Sequence, residues 1–136
     1  MPPALAARMG DKVVGTDRHI VLMPAPPGPP VPTLLPFPFQ ATIAGGCCPK
    51  VLIGGMPAAT VSSTVTIAPP HIPPPTAPFQ IPPAHTGTVL AGSASVLIGG
   101  KPAARAGDSV QTCSDPVPAP NGRIQPPMKN HGVKIA

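Results

Sequence analysis

Tryptophan, tyrosine and glutamate are absent from this 136-residue chain, and phenylalanine occurs only at positions 37, 39 and 79. Aromatic rings normally supply much of the buried area of a small domain, so the core here has to come from short Val, Ile and Leu runs. A core that thin calls for a staple: a metal, a disulfide or a partner surface. Long apolar runs are also missing, and nothing approaches the ~20 uninterrupted apolar residues of a membrane-spanning helix. Arg8, Asp11, Lys12 and Arg18 precede the short run Ile20 to Met23, so no secretory apolar region is visible. No stretch has helical periodicity, and helix is expected to be close to absent. The acidic groups are four aspartates, with no base beside Ser62, Ser63 or Ser109. That leaves little for acid–base or nucleophilic catalysis.

What is abundant is proline and glycine, 26 and 14 residues respectively, a level typical of low-complexity chains. On composition alone the chain reads as a disordered, Pro-rich adaptor for SH3-like domains. The formal charge of +5 is spread singly along the sequence with no aromatics interleaved, so the footprint of a nucleic-acid binder is weak.

An internal repeat argues for a fold instead. Val51-Leu52-Ile53-Gly54-Gly55-Met56-Pro57-Ala58-Ala59-Thr60 returns as Val96-Leu97-Ile98-Gly99-Gly100-Lys101-Pro102-Ala103-Ala104-Arg105. A β-branched run, a Gly-Gly step and a second short run predict a tight hairpin, because Gly-Gly supplies the positive φ angles of a two-residue turn. Repeated units of this kind stack on one another. A third copy is partial: Ala6-Ala7-Arg8-Met9-Gly10-Asp11 aligns with Ala103-Ala104-Arg105-Ala106-Gly107-Asp108, but its Val-Leu-Ile-Gly-Gly half is missing. The middle copy departs on the other side, with Thr60-Val61-Ser62-Ser63 where the third has Arg105-Ala106-Gly107-Asp108.

The expected organisation is one all-β body over residues 1–115, a small cone of three pseudo-threefold hairpin repeats. The units span about 1–23, 42–71 and 85–115. Pro-rich crossovers at 24–41 and 72–84 are expected to lie extended over the surface, since proline removes the donor that a central strand needs. Residues 116–136 read as a looser tail with short strands near Ile124 and Val133, too short for a separate effector domain.

Aligning the units on their Ala-Ala pairs brings out candidate metal ligands. His19 lies twelve residues after Ala7, His71 twelve after Ala59, and Cys113 nine after Ala104. Around a threefold axis these would converge at one end, with His85 as a fourth. Three imidazoles and a thiolate make a closed tetrahedral set, the usual arrangement of structural zinc, with iron a weaker alternative. An odd cysteine count argues against a disulfide framework. Cys47 and Cys48 read as turn residues, and His131 as part of the tail.

Pro102-Ala103-Ala104-Arg105-Ala106-Gly107-Asp108 and its shortened copy Ala6-Ala7-Arg8-Met9-Gly10-Asp11, with Val-Leu-Ile-Gly-Gly ahead, resemble the PAAR-repeat proteins of contractile injection systems. The resemblance implies a sharp, non-enzymatic cone that caps a trimeric spike protein, VgrG-like or of the phage type. It implies zinc near the point through three His and one Cys, which fall here on His19, His71, His85 and Cys113. It further implies one tip per trimer, effectors as further partners, transient contact with a target membrane and no nucleic acid. The protein would be made in the bacterial cytoplasm without a signal peptide and exported on firing at the particle's distal tip. The longer Pro-rich insertions resemble variants of tailocin-like and extracellular systems as well as type VI secretion. The competing classes are the Pro-rich adaptor and a metal-dependent hydrolase, which would need an open coordination position.

Overall fold

The computed structural model describes residues 3–128 and 130–136, so the first two residues of the expected first unit and Lys129 of the expected tail lie outside the described residues. The chain is all-β, without helix among the described residues. In order, the strands are β1 (Ala4–Leu5), β2 (Lys12–Met23), β3 (Val31–Gly45), β4 (Cys48–Ile53), β5 (Met56–Ala58) and β6 (Thr64–Ile67). The second half adds β7 (Thr86–Val89), β8 (Leu97–Ile98), β9 (Lys101–Pro102), β10 (Ser109–Thr112), β11 (Ala119–Ile124) and β12 (Lys134–Ile135).

The two Val-Leu-Ile-Gly-Gly copies form the hairpins β4–β5 and β8–β9. Their turns carry positive φ at both central residues, 57° and 85° at Gly54 and Gly55, 59° and 83° at Gly99 and Gly100. That is the mirror-image turn whose twist matches a two-stranded ribbon. The third hairpin is assembled from the two ends of the chain. Ala4 pairs with Ile135 and Leu5 with Lys134, in the register of Met56 with Ile53 and Lys101 with Ile98. Val133-Lys134-Ile135 thus supplies the half that the first unit lacks. His131 fixes this closure, donating from Nε2 to the Ala6 carbonyl and accepting the Val133 N–H at Nδ1, both at 3.0 Å.

Behind the hairpins the three units meet on an axis. The N–H of Ala7 donates to the Ala104 carbonyl at 2.9 Å, that of Ala104 to Ala59 at 3.0 Å, and that of Ala59 back to Ala7 at 3.0 Å. The ring is lined by Ala6, Ala58 and Ala103, all fully buried. No side chain larger than a methyl fits where three backbones approach so closely.

The same turn then follows in each unit, despite the degenerate middle sequence. Asp11 and Asp108 each accept the N–H three residues back, from Arg8 and Arg105, and Ser63 Oγ accepts that of Thr60 at 2.9 Å. The residue before each acceptor has positive φ: 94° at Gly10, 92° at Gly107 and 80° at Ser62. A side chain at such an angle is strained.

From these turns β2, β6 and β10 run into a closed antiparallel barrel in the order β10-β11-β2-β3-β6-β7. Its interior nearest the alanine ring is apolar and repeats by threes, with Val13, Val65 and Val110, then Ile43, Val89 and Ile124. The stretch read as a loose tail contributes β11 to the barrel and β12 to the third hairpin.

The first Pro-rich crossover corrects the sequence expectation. Residues 31–41 belong to β3, which pairs with β2 along its whole length from Lys12–Thr42 to Met23–Val31. Pro32, Pro36 and Pro38 are tolerated because they share one parity, on the exposed face. β6 joins β3 only from Ala41 onward, so the missing donors fall on an open edge. The second crossover stays largely irregular, touching β2 through a bridge between Phe79 and Val21.

Two stability changes follow. Ser62→Gly should raise stability by about 1 kcal/mol by relieving the left-handed serine, visible as a higher melting temperature. Ala104→Leu, forcing bulk onto the axis, should lower it by about 1–3 kcal/mol or more.

Candidate metal centre

Side chains alternate along β2, so Val13, Gly15, Asp17, His19 and Val21 share one face. The first points into the apolar end of the barrel and Asp17 and His19 into the far end, 0% and 1% exposed. His71 arrives from the segment after β6, and Cys113 directly follows β10.

The structure groups Asp17, His19, His71 and Cys113, each offering one ligand atom, with all four atoms within 4.8 Å of one another. Asp17 Oδ2 lies 3.0 Å from His71 Nε2 and 3.6 Å from Cys113 Sγ, and that sulfur lies 3.8 Å from His19 Nε2. Bonds of 2.0–2.3 Å to a four-coordinate zinc would put neighbouring donors roughly 3.3–3.7 Å apart. The donor set fits such an ion in chemistry, and the three separations of 3.0, 3.6 and 3.8 Å bracket that spacing. Its enclosure fits too: a buried carboxylate facing a thiol is costly unless a cation neutralises it.

Outer contacts hold the donors in place. Asp17 Oδ1 accepts hydroxyl hydrogen bonds from Thr112 and from Ser114, the latter at 3.2 Å, which leaves Oδ2 directed at His71 and Cys113. Asp115 Oδ2 stands 3.4 Å from His19 Nδ1 and accepts the Ile20 N–H at 3.0 Å. A carboxylate behind an imidazole fixes the tautomer and leaves the other nitrogen free to bind metal. Phe37 and Phe79 lie against His19 with ring centroids 5.6 Å away in each case, and Phe37 against His71 at the same distance.

Burial lowers the pKa of His19, partly countered by Asp115, so its ring is held neutral and able to ligate. Burial raises that of Cys113, partly offset by the backbone N–H of His85. The thiol keeps its proton until a cation displaces it.

Of the residues named from sequence, His19, His71 and Cys113 lie together, and His85 lies beside them with its ring centroid 5.3 Å from that of His71. His85 Nε2 accepts the backbone N–H of His71 at 3.0 Å. Asp17 was missed. It has no histidine or cysteine counterpart, since the positions ten after Ala59 and Ala104 are Pro69 and Ser114. The available signal was its place two residues before His19 on one strand face. Cys47 joins β3 to β4 and Cys48 opens β4; among the described residues all three cysteines are free.

Residues 80–136 match the family model of the PAAR motif. That part of the chain carries the PAAR motif. The matched segment holds the second full repeat, Cys113 and the closing strand β12, and the internal repeat extends the same pattern to the units before it. A search of curated proteins finds no match to the chain. The motif supports a structural spike-tip role in general terms.

The two fourth-donor candidates are separated by metal content. If Asp17 completes the set, Asp17→Ala loses bound metal while His85→Ala retains about one ion per chain; the reverse result assigns His85. His71→Ala should lose metal in either case, read by elemental analysis of the purified variants.

Proposed function

We propose that this PAAR-motif protein is the metal-stabilised puncturing tip that caps a trimeric spike of a contractile injection apparatus. The observation that carries the reading is the cyclic hydrogen-bond ring of Ala7, Ala59 and Ala104, behind three hairpins in equivalent registers. A single chain with three equivalent ends matches three identical subunits, and a spike trimer presents such a surface. Leu52, Leu97 and Lys134 hold the same position on the three hairpins, and both leucines are exposed. The hairpin edges there are open to a partner.

The opposite end carries the donors. Zinc bound by His19, His71, Cys113 and one of Asp17 and His85 would tie β2, β10 and the segment after β6 together. This is the place where apolar packing gives way to polar side chains. Metal binding energy in such a site is folding energy, and it would stiffen a tip that has little core. The donors are enclosed, and nothing in their arrangement favours a substrate position, so the reading is structural and not catalytic. The protein would act outside the cell that makes it, at the distal end of the particle, and a VgrG-like trimer is the partner class.

Co-purification with a spike trimer should give one chain per three subunits by native mass spectrometry. Leu52→Asp combined with Leu97→Asp should abolish capping while metal content is unchanged; capping by this double variant at wild-type level overturns the docking assignment. Chelation should accelerate hydrogen exchange around residues 19–23 and 113–115 and leave the alanine-ring amides protected.

A further inference from the structure

Beyond the barrel, β2 and β3 form a two-stranded arm whose two edges are finished differently. The outer edge of β2 is covered. The Asp115 N–H donates to the Arg18 carbonyl at 2.8 Å, the Ile20 N–H to Asp115 Oδ2 at 3.0 Å, the Gln80 N–H to the Ile20 carbonyl at 2.9 Å and the Leu22 N–H to the Pro78 carbonyl at 2.8 Å. Backbone groups of Arg18, Ile20 and Leu22 therefore point away from β3. Opposite residues of an antiparallel pair alternate between those that bond each other and those that do not. The partners of these three, Pro36, Leu34 and Pro32, accordingly turn their own backbone groups outward, to the free side of β3. Gln40 has the same parity, and its carbonyl accepts the Ala68 N–H at 3.1 Å from the β6 side. The register from Thr42 to Val31 is unbroken, so Pro38 shares this orientation.

Among the described residues no strand covers that side of β3 between 31 and 40. An open edge of ten residues, about 33 Å long, is a template for another chain. Its residues favour pairing: Val31, Thr33, Phe37 and Phe39 suit extended backbone, and Val31 (51%) and Leu34 (45%) are exposed. The common deterrents are missing. No Asp, Glu, Lys or Arg occurs between Arg18 and Lys50, no bulge interrupts residues 31–42, and the strand is 15 residues long.

Proline is what remains. Of the positions facing the free edge, 32, 34, 36 and 38, three are proline and only Leu34 has an N–H to offer. The positions facing β2, 31, 33, 35, 37 and 39, contain none. The neighbouring segment repeats the device: it leaves β6 as Ala68-Pro69-Pro70, so past the bond from Ala68 to Gln40 the next two residues have no N–H to extend the ladder. A strand laid on this edge would meet four carbonyls and one donor. Its own carbonyls would be desolvated without partners, which costs more than the bonds made would return.

We propose that Pro32, Pro36 and Pro38 close the β3 edge to strand addition, and that the partner they exclude is a second copy of this chain. Two identical edges meet antiparallel about a twofold axis, so each copy carries the complement of the other. The inference concerns the arm alone and stands apart from the spike-tip reading.

In the full-length, metal-loaded protein, the Leu34 amide should exchange hydrogen as an open amide does at every protein concentration, while those of Leu35 and Phe37 are protected. Pro32→Val combined with Pro36→Thr and Pro38→Val restores three donors. By analytical ultracentrifugation this variant should self-associate at least about tenfold more tightly than the wild type, gaining protection at Leu34 as it does so, with metal content unchanged. Pro36→Thr alone, the milder change, should move the same way to a smaller extent and decides the matter if the triple variant does not fold. Leu34→Pro removes the last donor and should leave the chain folded and monomeric, whereas Leu35→Pro, whose N–H faces β2, should lower the melting temperature. Protection of Leu34 that grows with concentration in the wild type overturns the proposal. So do metal-loaded proline variants that stay monomeric, or that associate with the Leu34 amide still open, which would assign the contact to another surface.

Discussion

Three backbone amides, those of Ala7, Ala59 and Ala104, close on one another around an axis, and the rest of the molecule depends on that ring. Because its members are backbone groups within 3.0 Å of their partners, the surrounding positions are restricted to alanine and the three units are forced into one register. Each unit then places its hairpin on one side of the ring and its barrel strand on the other. A chain without threefold sequence identity thereby acquires a threefold end. The ring tolerates substitution wherever the same bond can be made by other means. Ser63 does for the second unit what Asp11 and Asp108 do for the other two, and residues from the far end of the chain supply the first unit's missing strand.

The symmetry is strict only where backbone sets it. Along the barrel the valine and isoleucine layers keep it, and at the far end it gives way. Four donors cannot be distributed evenly over three units, and the grouped residues lie nine, ten and twelve positions after their alanines. Asp17 and His19 share a strand face, His71 enters from an irregular segment, and Cys113 sits at a strand end. Hydroxyls of Thr112 and Ser114 and the carboxylate of Asp115 fix this uneven set from behind. The three phenylalanines of the chain all lie near it, so the scarce aromatic area is spent where the core turns polar.

Charge divides the molecule the same way. The Arg8–Asp11 and Arg105–Asp108 pairs stand beside the alanine ring, whereas the apical segments carry proline and aliphatic residues and almost no charge. Paired charges near the threefold ring and uncharged Pro-rich segments at the far end follow from these two distributions.

The sequence by itself determined the all-β class, both Gly-Gly hairpins, the repeat registers and three of the grouped donors. These are local or periodic properties: positive φ needs glycine, stacking needs a repeat, and ligand chemistry is written in residue type. Tertiary structure alone decided that Val133 to Ile135 completes the first unit, because pairing between chain ends leaves no local signal beyond a short β-branched run. It alone made Pro32, Pro36 and Pro38 strand residues, since an open edge is a property of neighbours and not of the strand. And it alone brought Asp17 to His71 and Cys113, 54 and 96 residues away in sequence, because only barrel closure turns separate strand faces into one enclosed volume.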